Sequence, residues 1–267
     1  MFESHHLQLV NVTITEGESG LKECSDITCR SCRFEGKYPL WHVDGSLIED
    51  CYFAPGSRSA IWYSNDMVMK HCTIDAPKFF REMKRLTLHD VTLNDADETF
   101  WGICGLEMKN VVLHGGTYPL MHCSNVRIDG LECDSNYVCQ YCKDVEIRNA
   151  KINTKDSFWE VENVTVYDSE LHGEYLGWHS KNLRLVNCHI SGEQPLCYAE
   201  NLVLENCTFD PASDRAFEYS SVRADIRGHI SGIKNPATGH ILADSIGEVI
   251  IDENIKSPAD CIIEQRG

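Results

Sequence analysis

Leu183-Arg-Leu-Val-Asn-Cys-His-Ile190 returns nineteen residues later as Leu202-Val-Leu-Glu-Asn-Cys-Thr-Phe209. The same phrase stands at Leu7-Gln-Leu-Val-Asn-Val-Thr-Ile14 and at Leu86-Thr-Leu-His-Asp-Val-Thr-Leu93, with weaker copies between. Anchored on its sixth position it marks Val12, Cys32, Cys51, Cys72, Val91, Val111, Leu131, Ala150, Ser169, Cys188 and Cys207, in steps of 19 to 21 residues. A fixed period of this length is the signature of a solenoid, in which each repeat buries its apolar side against its neighbours.

Within the phrase, positions one, three, six and eight are apolar, and positions two, four and seven are mostly polar. That alternation has the period of a strand. Position five is usually Asn or Asp (Asn11, Asp50, Asp90, Asn110, Asn149, Asp168, Asn187, Asn206), residues that tolerate the left-handed backbone of a sharp bend. A turn rich in Gly, Asp and Pro follows. A second apolar segment then closes each coil, as in Pro39-Leu-Trp-His-Val43, Ala60-Ile-Trp-Tyr-Ser64 and Ser157-Phe-Trp-Glu-Val161. Three short strands and three corners per turn predict an all-β, single-stranded right-handed parallel β-helix of about 11–12 coils of 19–20 residues. A leucine-rich repeat has a similar period, but nothing in the chain carries helical spacing. The coils run over about residues 7–221. The tail, about 222–267, keeps the strand alternation but loses the register, and is expected to form one more coil and a cap. With no linker or charge run, residues 1–267 read as a single domain.

The chain has 14 cysteines, most of them where the repeat wants a small inward group. They are expected to be reduced core residues, including both CxxC pairs (Cys29/Cys32 and Cys139/Cys142), and Cys197 is the exception on an outward position. No apolar run suits a signal peptide or a membrane span, which points to the cytoplasm. A net charge of −17, from 24 basic and 41 acidic residues, excludes nucleic acid and anionic membranes as partners. It also disfavours a polyanionic substrate.

The second apolar segment carries the functional signal. Its first position is inward. The next two form columns that include Lys22, Glu218 and Arg81 and are expected to face outward, because an unpaired buried charge is costly. One column runs Trp41, Trp62, Arg81, Trp101, Met121, Gln140, Trp159, Gly177, Cys197; the other runs His42, Tyr63, Glu82, Gly102, His122, Tyr141, Glu160, Trp178, Tyr198. All five tryptophans fall in these columns. Aromatic surfaces interleaved with polar groups suit a saccharide, whose apolar faces lie on rings while side chains fix its hydroxyls. The candidate binding residues are therefore Trp41, His42, Trp62, Tyr63, Trp101, His122, Tyr141, Trp159, Trp178 and Tyr198. The same rings also suit mutual stacking or a subunit interface, and both alternatives stay open.

Two charged clusters are the catalytic candidates. Asp156 and Glu174 hold matching positions on adjacent coils, with Glu160 beside them; carboxyls about 5 to 9.5 Å apart are what glycoside hydrolysis needs. Lys78, Arg81, Glu82 and Glu98 form the second, where a base beside a carboxylate would serve β-elimination or epimerisation. A surface ion pair is the plainer explanation of either. No metal ligand set is evident and no cofactor is called for, although a divalent cation such as calcium stays an option at an acidic corner.

Lys37-Tyr-Pro-Leu-Trp41, Ile61-Trp-Tyr63, Ala76-Pro-Lys-Phe-Phe-Arg81, Lys155-Asp-Ser-Phe-Trp159, Glu162-Asn-Val-Thr-Val-Tyr-Asp168, Gly173-Glu-Tyr-Leu-Gly-Trp178 and Ala216-Phe-Glu-Tyr-Ser220 are longer than the repeat demands. On these stretches the chain resembles a bacterial family of unassigned function with a right-handed β-helix, within the pectin-lyase-like superfamily. The resemblance implies the fold and its winding, and no established reaction. The calcium-binding acidic cluster and basic residue of pectate lyases do not map onto this sequence. Two functions therefore stand: a carbohydrate-binding or carbohydrate-active β-helix (hydrolase, lyase or epimerase in type), or a non-enzymatic assembly module that joins copies of the chain through its aromatic face.

Overall fold

The computed structural model describes residues 1–255 and 260–267. The architecture is an all-β parallel β-solenoid, with one 3-10 turn at Pro55–Ser57 among the described residues. Its contacts divide the chain into two compact units, Met1–Ser135 and Asn136–Gly267.

In the first unit the repeat phrase becomes a longer strand, a bend and a shorter strand. Ser25–Arg30, Asp44–Glu49, Asn65–Lys70 and Lys84–Leu93 pair in parallel, one coil on the next. Arg33–Phe34, Tyr52–Phe53 and Thr73–Ile74 do the same beyond the bend. The register keeps like over like: Met67 pairs with Leu86, and Leu86 with Leu106. Inward aromatics stack in consequence, Phe34 on Phe53 at 4.5 Å and Phe80 on Phe100 at 4.9 Å between ring centroids. In the second unit Lys143–Arg148, Glu162–Tyr167, Lys181–Val186 and Leu202–Phe209 repeat the arrangement.

The bends follow the expected chemistry. Asn11, Asp50, Asp90, Asn149, Asp168, Asn187 and Asn206 all take positive φ, between 52° and 55° except Asp168 at 49°. In the second unit these side chains, and a second left-handed Asn/Asp column at the start of the longer strand, form amide ladders. Asn163 donates to Asp144 at 3.0 Å, Asn182 to Asn163 at 2.8 Å and Asn201 to Asn182 at 3.1 Å. Asn187 donates to Asp168 and Asn206 to Asn187, each at 2.8 Å.

The cysteines are free, and Cys104 (exposed) and Cys261 (intermediate) are the two that are not buried. At the sixth position they do more than fill space. The bend turns a main-chain N–H inward, and the sulfur of the next coil accepts it: Cys32 N donates to Cys51 Sγ and Cys51 N to Cys72 Sγ, both at 3.4 Å. Each thiol in turn donates to a carbonyl, Cys51 to Glu49 O at 3.2 Å. Where the column holds serine the same bond forms, from Ala150 N to Ser169 Oγ at 3.0 Å. A small side chain that both accepts and donates keeps these buried amides paired.

Three expectations need correction. The closing apolar segment is not a strand. Leu40 and His42, Ile61 and Tyr63, and Phe80 and Glu82 take positive φ near 52–60°, alternating with residues that do not. Its N–H groups consequently divide between the two neighbouring coils, as Ile61 N to Pro39 O and Tyr63 N to Arg81 O. Second, Gln140 (7% exposed) and Cys197 (0%) are buried rather than outward. Cys197 fits inside because its thiol donates to the Gln194 carbonyl at 3.2 Å. Third, the tail winds through more than one coil: Ser221–Lys234 pairs in parallel with Thr238–Ile250, which pairs with Ile262–Gln265. The step shortens from Ser221↔Thr238 to His229↔Ser245, which is why the phrase fades there. The part of the expected cap at residues 256–259 lies outside the described residues.

Candidate functional site

The turn segment of each coil sets two side-chain columns on the surface. The alternating backbone holds its inward residues (Leu40, Ile61, Phe80, Phe100) at 0% exposure, and the residue after each is half-buried. In the first unit the half-buried column is a ladder of flat groups. Trp41 stacks on Trp62 at 5.4 Å with an interplanar angle of 12°. The Arg81 guanidinium lies 4.8 Å from the Trp62 ring and 4.3 Å from the Trp101 ring. The faces of these groups therefore cover one another, and the surface receives mostly their edges.

The polar edge of each group also has a fixed partner. Trp41 Nε1 donates to Ser59 O at 2.6 Å, Trp62 Nε1 to Lys78 O at 2.8 Å and Trp101 Nε1 to Tyr118 O at 2.8 Å. Each acceptor is the corner residue of the following coil, and each corner is left-handed. Arg81 occupies a tryptophan slot and copies its bond, with Nη2 3.3 Å from Glu98 O. The same Nη2 donates to Glu98 Oε2 at 2.5 Å, and Lys78 Nζ approaches that oxygen at 3.1 Å. Partial burial opposes ionisation of Glu98, but hydrogen bonds from Lys78 and Arg81 outweigh it and hold the carboxyl below its usual pKa. Arg81 Nε stays buried without a partner between the rings.

The outer column carries His42, Tyr63, Glu82, Gly102 and His122 in this unit. His42 and Tyr63 stack at 5.2 Å, and Tyr63 is 45% exposed. A side chain at Gly102 (φ 65°) would meet the Glu82 carboxylate at 2.8 Å, so the glycine leaves that carboxylate its place.

The second unit repeats the scheme with one corrected column and one break. Hydrogen bonding aligns Phe158 with Gly177, and Glu160 with His179. Trp178 consequently joins Trp159 in the half-buried column, and His179 takes the outer place assigned above to Trp178. The step from Phe158 to Gly177 is the regular 19 residues, and Leu176, buried in the place of Ser157, imitates the inward residue in the sequence. All five tryptophans thus share one column. Trp159 and Trp178 lie 5.8 Å apart, while His179 stacks on Tyr198 at 4.9 Å. Trp178 Nε1 donates to Gln194 O at 2.8 Å. Trp159 makes no such bond among the described residues. The corner it would reach is Tyr175, and neither Tyr175 nor Asp156 adopts the left-handed conformation of the other corners.

Unpaired polar atoms gather at this break. Asp156 is 5% exposed and Ser157 is fully buried, and Asp156 Oδ1 and Ser157 Oγ have no hydrogen-bond partner. Burial is the main cause that raises the Asp156 pKa; the Tyr175 main-chain N–H and Lys155 pull it down and Glu174 pushes it up. Glu174 is exposed and lies 3.9 Å from Lys155 Nζ, and Tyr175 packs on Trp178 at 4.8 Å. Glu160 and Tyr141 flank the break on the outer column, exposed. Glycoside hydrolysis needs a carboxyl that can reach the glycosidic oxygen. Here, however, Oδ1 is sealed from solvent. What the break presents to a ligand is the Trp159 indole edge, the Tyr141 and Tyr175 rings, and the Glu160 and Glu174 carboxylates.

Among the described residues no three His, Cys, Asp or Glu side chains converge as a metal site, and no helix is long and apolar enough to cross a membrane. No curated protein matches the chain significantly. Among solved structures it is similar to the A-module of the mannuronan C-5 epimerase AlgE4 of Azotobacter vinelandii, at 10% identity and a TM-score of 0.34, over 96% of this chain and 81% of that one. It is also similar to QnrB1, a plasmid-mediated fluoroquinolone resistance protein, at 12% identity and a TM-score of 0.34, over 78% and 91%. The pentapeptide repeat protein HetL from Nostoc sp. strain PCC 7120 follows at 10% identity and a TM-score of 0.26, over 79% and 83%. No activity transfers on likenesses of this size. The family comparison is decisive in coverage, matching residues 1–264, and the chain belongs to the family described as Protein of unknown function (DUF3737).

Proposed function

We propose that the protein is a saccharide-binding solenoid whose ligand lies along the turn-segment face of the second unit, across the break at Asp156–Trp159. One observation carries this reading: among the described residues, Trp159 alone of the five tryptophans keeps its indole N–H uncommitted to the main chain. A half-buried indole donor is normally paired, and a ligand hydroxyl is the acceptor this surface lacks. The coil spacing of about 4.8 Å is close to the length of one hexose ring, so successive sugars meet successive rungs. Ring edges, tyrosine hydroxyls and carboxylates then bind hydroxyl groups, in place of the face-on stacking expected from sequence. The net charge of −17 favours a neutral saccharide. Within this reading the chain is a cytoplasmic, bacterial protein of the pectin-lyase-like class, as its sequence suggests.

Titration calorimetry with neutral and acidic oligosaccharides tests it. Trp159→Phe keeps the ring and removes the donor, and should weaken binding roughly 3- to 10-fold, the worth of one hydrogen bond. Trp178→Phe should leave affinity unchanged, because that N–H is held by Gln194. Equal effects of the two substitutions, or no binding by any sugar, would remove the reading.

A second reading has its own observation. Tyr63 is 45% exposed in the first unit and Tyr141 36% exposed in the second, large rings on the outer column. Exposed aromatics of this kind suit an interface between copies of the chain. Sedimentation should then show a concentration-dependent dimer that Tyr63→Glu dissociates; a monomer at every concentration would exclude it.

A further inference from the structure

The outward face of the short strands in the second unit carries chemistry that the turn-segment face does not use. Glu170 and His172 lie two residues apart on the strand Glu170–His172, which places both on the same side. Ser191 is the register partner of His172 on the next coil. Its hydroxyl lies 2.5 Å from His172 Nδ1, and His172 Nε2 lies 3.7 Å from Glu170 Oε2. A hydroxyl, an imidazole and a carboxylate thus follow one another in the order that activates a serine nucleophile.

Hydroxyl–imidazole pairs across neighbouring coils recur in this chain and mark the background. His5 meets Ser25 at 2.7 Å, His189 meets Thr208 at 2.9 Å and His229 meets Ser245 at 3.0 Å. Among the described residues none of these three histidines has an acidic side chain within ion-pair distance. His172 does, and it remains reachable, with 32% of its side chain exposed and 56% of that of Glu170. Of the three cluster residues, Glu170 lines a shallow groove of about 340 Å³, together with Asp168, His189 and Thr208, and Ser191 and His172 lie beyond its lining. The His189 ring lies 6.0 Å from that of His172, and in the tautomer whose Nδ1 accepts from the Thr208 hydroxyl its Nε2–H is a donor for a developing oxyanion.

We propose that Ser191, His172 and Glu170 form a nucleophilic site that takes the acyl group of a small uncharged carboxylic ester. Ser191 Oγ attacks the ester carbonyl carbon, and its proton passes to His172 Nδ1. The carbon–alkoxide bond breaks, and the imidazolium returns the proton to the departing alcohol. Water then attacks the acyl-serine, its proton leaving through His172, and releases the acid and the free serine. Glu170 steadies the imidazolium at Nε2, and the 3.7 Å separation shortens when that ring becomes charged. The shallow groove suits a short acyl chain, and the acidic surface disfavours an anionic ester.

Diisopropyl fluorophosphate tests the nucleophile directly on the full chain, since displacement of fluoride leaves a stable phosphoryl-serine that peptide mass mapping locates. One adduct is expected, on Ser191, together with slow hydrolysis of p-nitrophenyl acetate. Ser191→Ala should abolish both. His172→Gln should slow labelling about 100-fold, and Glu170→Gln about 10-fold, as expected for loss of a base and of its orienting partner. All three positions face outward, and circular dichroism reports whether each variant keeps its β-structure. Ser25 and Ser245 serve as internal comparisons: labelling there at the rate of Ser191 would show that pairing with histidine alone is responsible. That result, the absence of any adduct, or an adduct that survives Ser191→Ala would overturn the proposal, and none of them bears on saccharide binding at Trp159.

Discussion

The flat-group ladders of the two units obey one geometry and differ at one rung. In Met1–Ser135 each of Trp41, Trp62, Arg81 and Trp101 reaches the corner carbonyl of the next coil. In Asn136–Gly267 Trp178 does so and Trp159 does not. The cause lies in the corner, not in the tryptophan: Ser59, Lys78, Glu98, Tyr118 and Gln194 are left-handed, and Tyr175 is not. A repeat protein satisfies its polar groups by repetition, so a single corner in a different conformation strands a donor, here with Asp156 Oδ1 and Ser157 Oγ beside it. Regular rungs describe structure, and the irregular one is where a ligand has something to offer.

The comparison can be broken most forcefully at Arg81. Arg81→Ala removes two ring contacts and one of the two cations on the half-buried Glu98 carboxylate, leaving Lys78, and should cost about 2 kcal/mol in urea unfolding. Arg81→Trp restores a flat group with an N–H and removes the unpaired Nε, so it should cost far less. If the two variants lose equal stability, the slot does not select for shape and donor.

The next largest effect belongs to the bends. Cys51→Val keeps the site filled with an apolar group but removes the acceptor of the Cys32 N–H, a loss of about 1–3 kcal/mol, whereas Cys51→Ser keeps an acceptor and should lose less. Equal losses would reduce the thiol column to packing.

The ladders themselves are compared by removing one N–H at a time. Trp62→Phe should lose about 1 kcal/mol, the worth of its bond to Lys78 O, and Trp159→Phe should stay within about 0.5 kcal/mol of the parent without ligand. Equal losses would mean that Trp159 has a partner after all.

The finest distinction is one of pH. Burial raises the Asp156 pKa in the folded chain. The folded state then binds this proton more tightly than the unfolded state, so the contribution is most favourable below the unfolded value of about 3.9 and is lost as pH rises through the raised folded value. Asp156→Asn should therefore increase the unfolding midpoint at neutral pH, with the gain shrinking below about pH 4. A gain of the same size at both pH values would place the effect elsewhere than in ionisation.

Much of this was legible in the repeat. The period, the Asn and Asp bends and the inward cysteines each follow from residue type at a fixed spacing, and each takes its expected place. The turn segment was less legible, because alternation of apolar and polar residues looks alike in a strand and in a backbone that alternates left-handed residues. Trp178 is hard to place for a similar reason: Gly177 holds the inward position at the regular 19-residue step from Phe158 but has no apolar side chain, and the neighbouring Leu176 imitates one. His179 is hidden on the same account, and the Glu170–His172–Ser191 cluster is written as ordinary polar positions of the phrase.

By itself the sequence determined that the chain is a parallel β-solenoid, because a period near nineteen with strand alternation can bury its apolar side in no other way than by stacking coil on coil. It also determined where the coils bend, since those positions need left-handed backbone. Only the tertiary structure decided what each column does. Whether an indole N–H meets a carbonyl, whether a cysteine accepts an amide, and whether a serine meets a histidine depend on the residue one coil away. That neighbour is set by the register of stacking, which no single repeat contains.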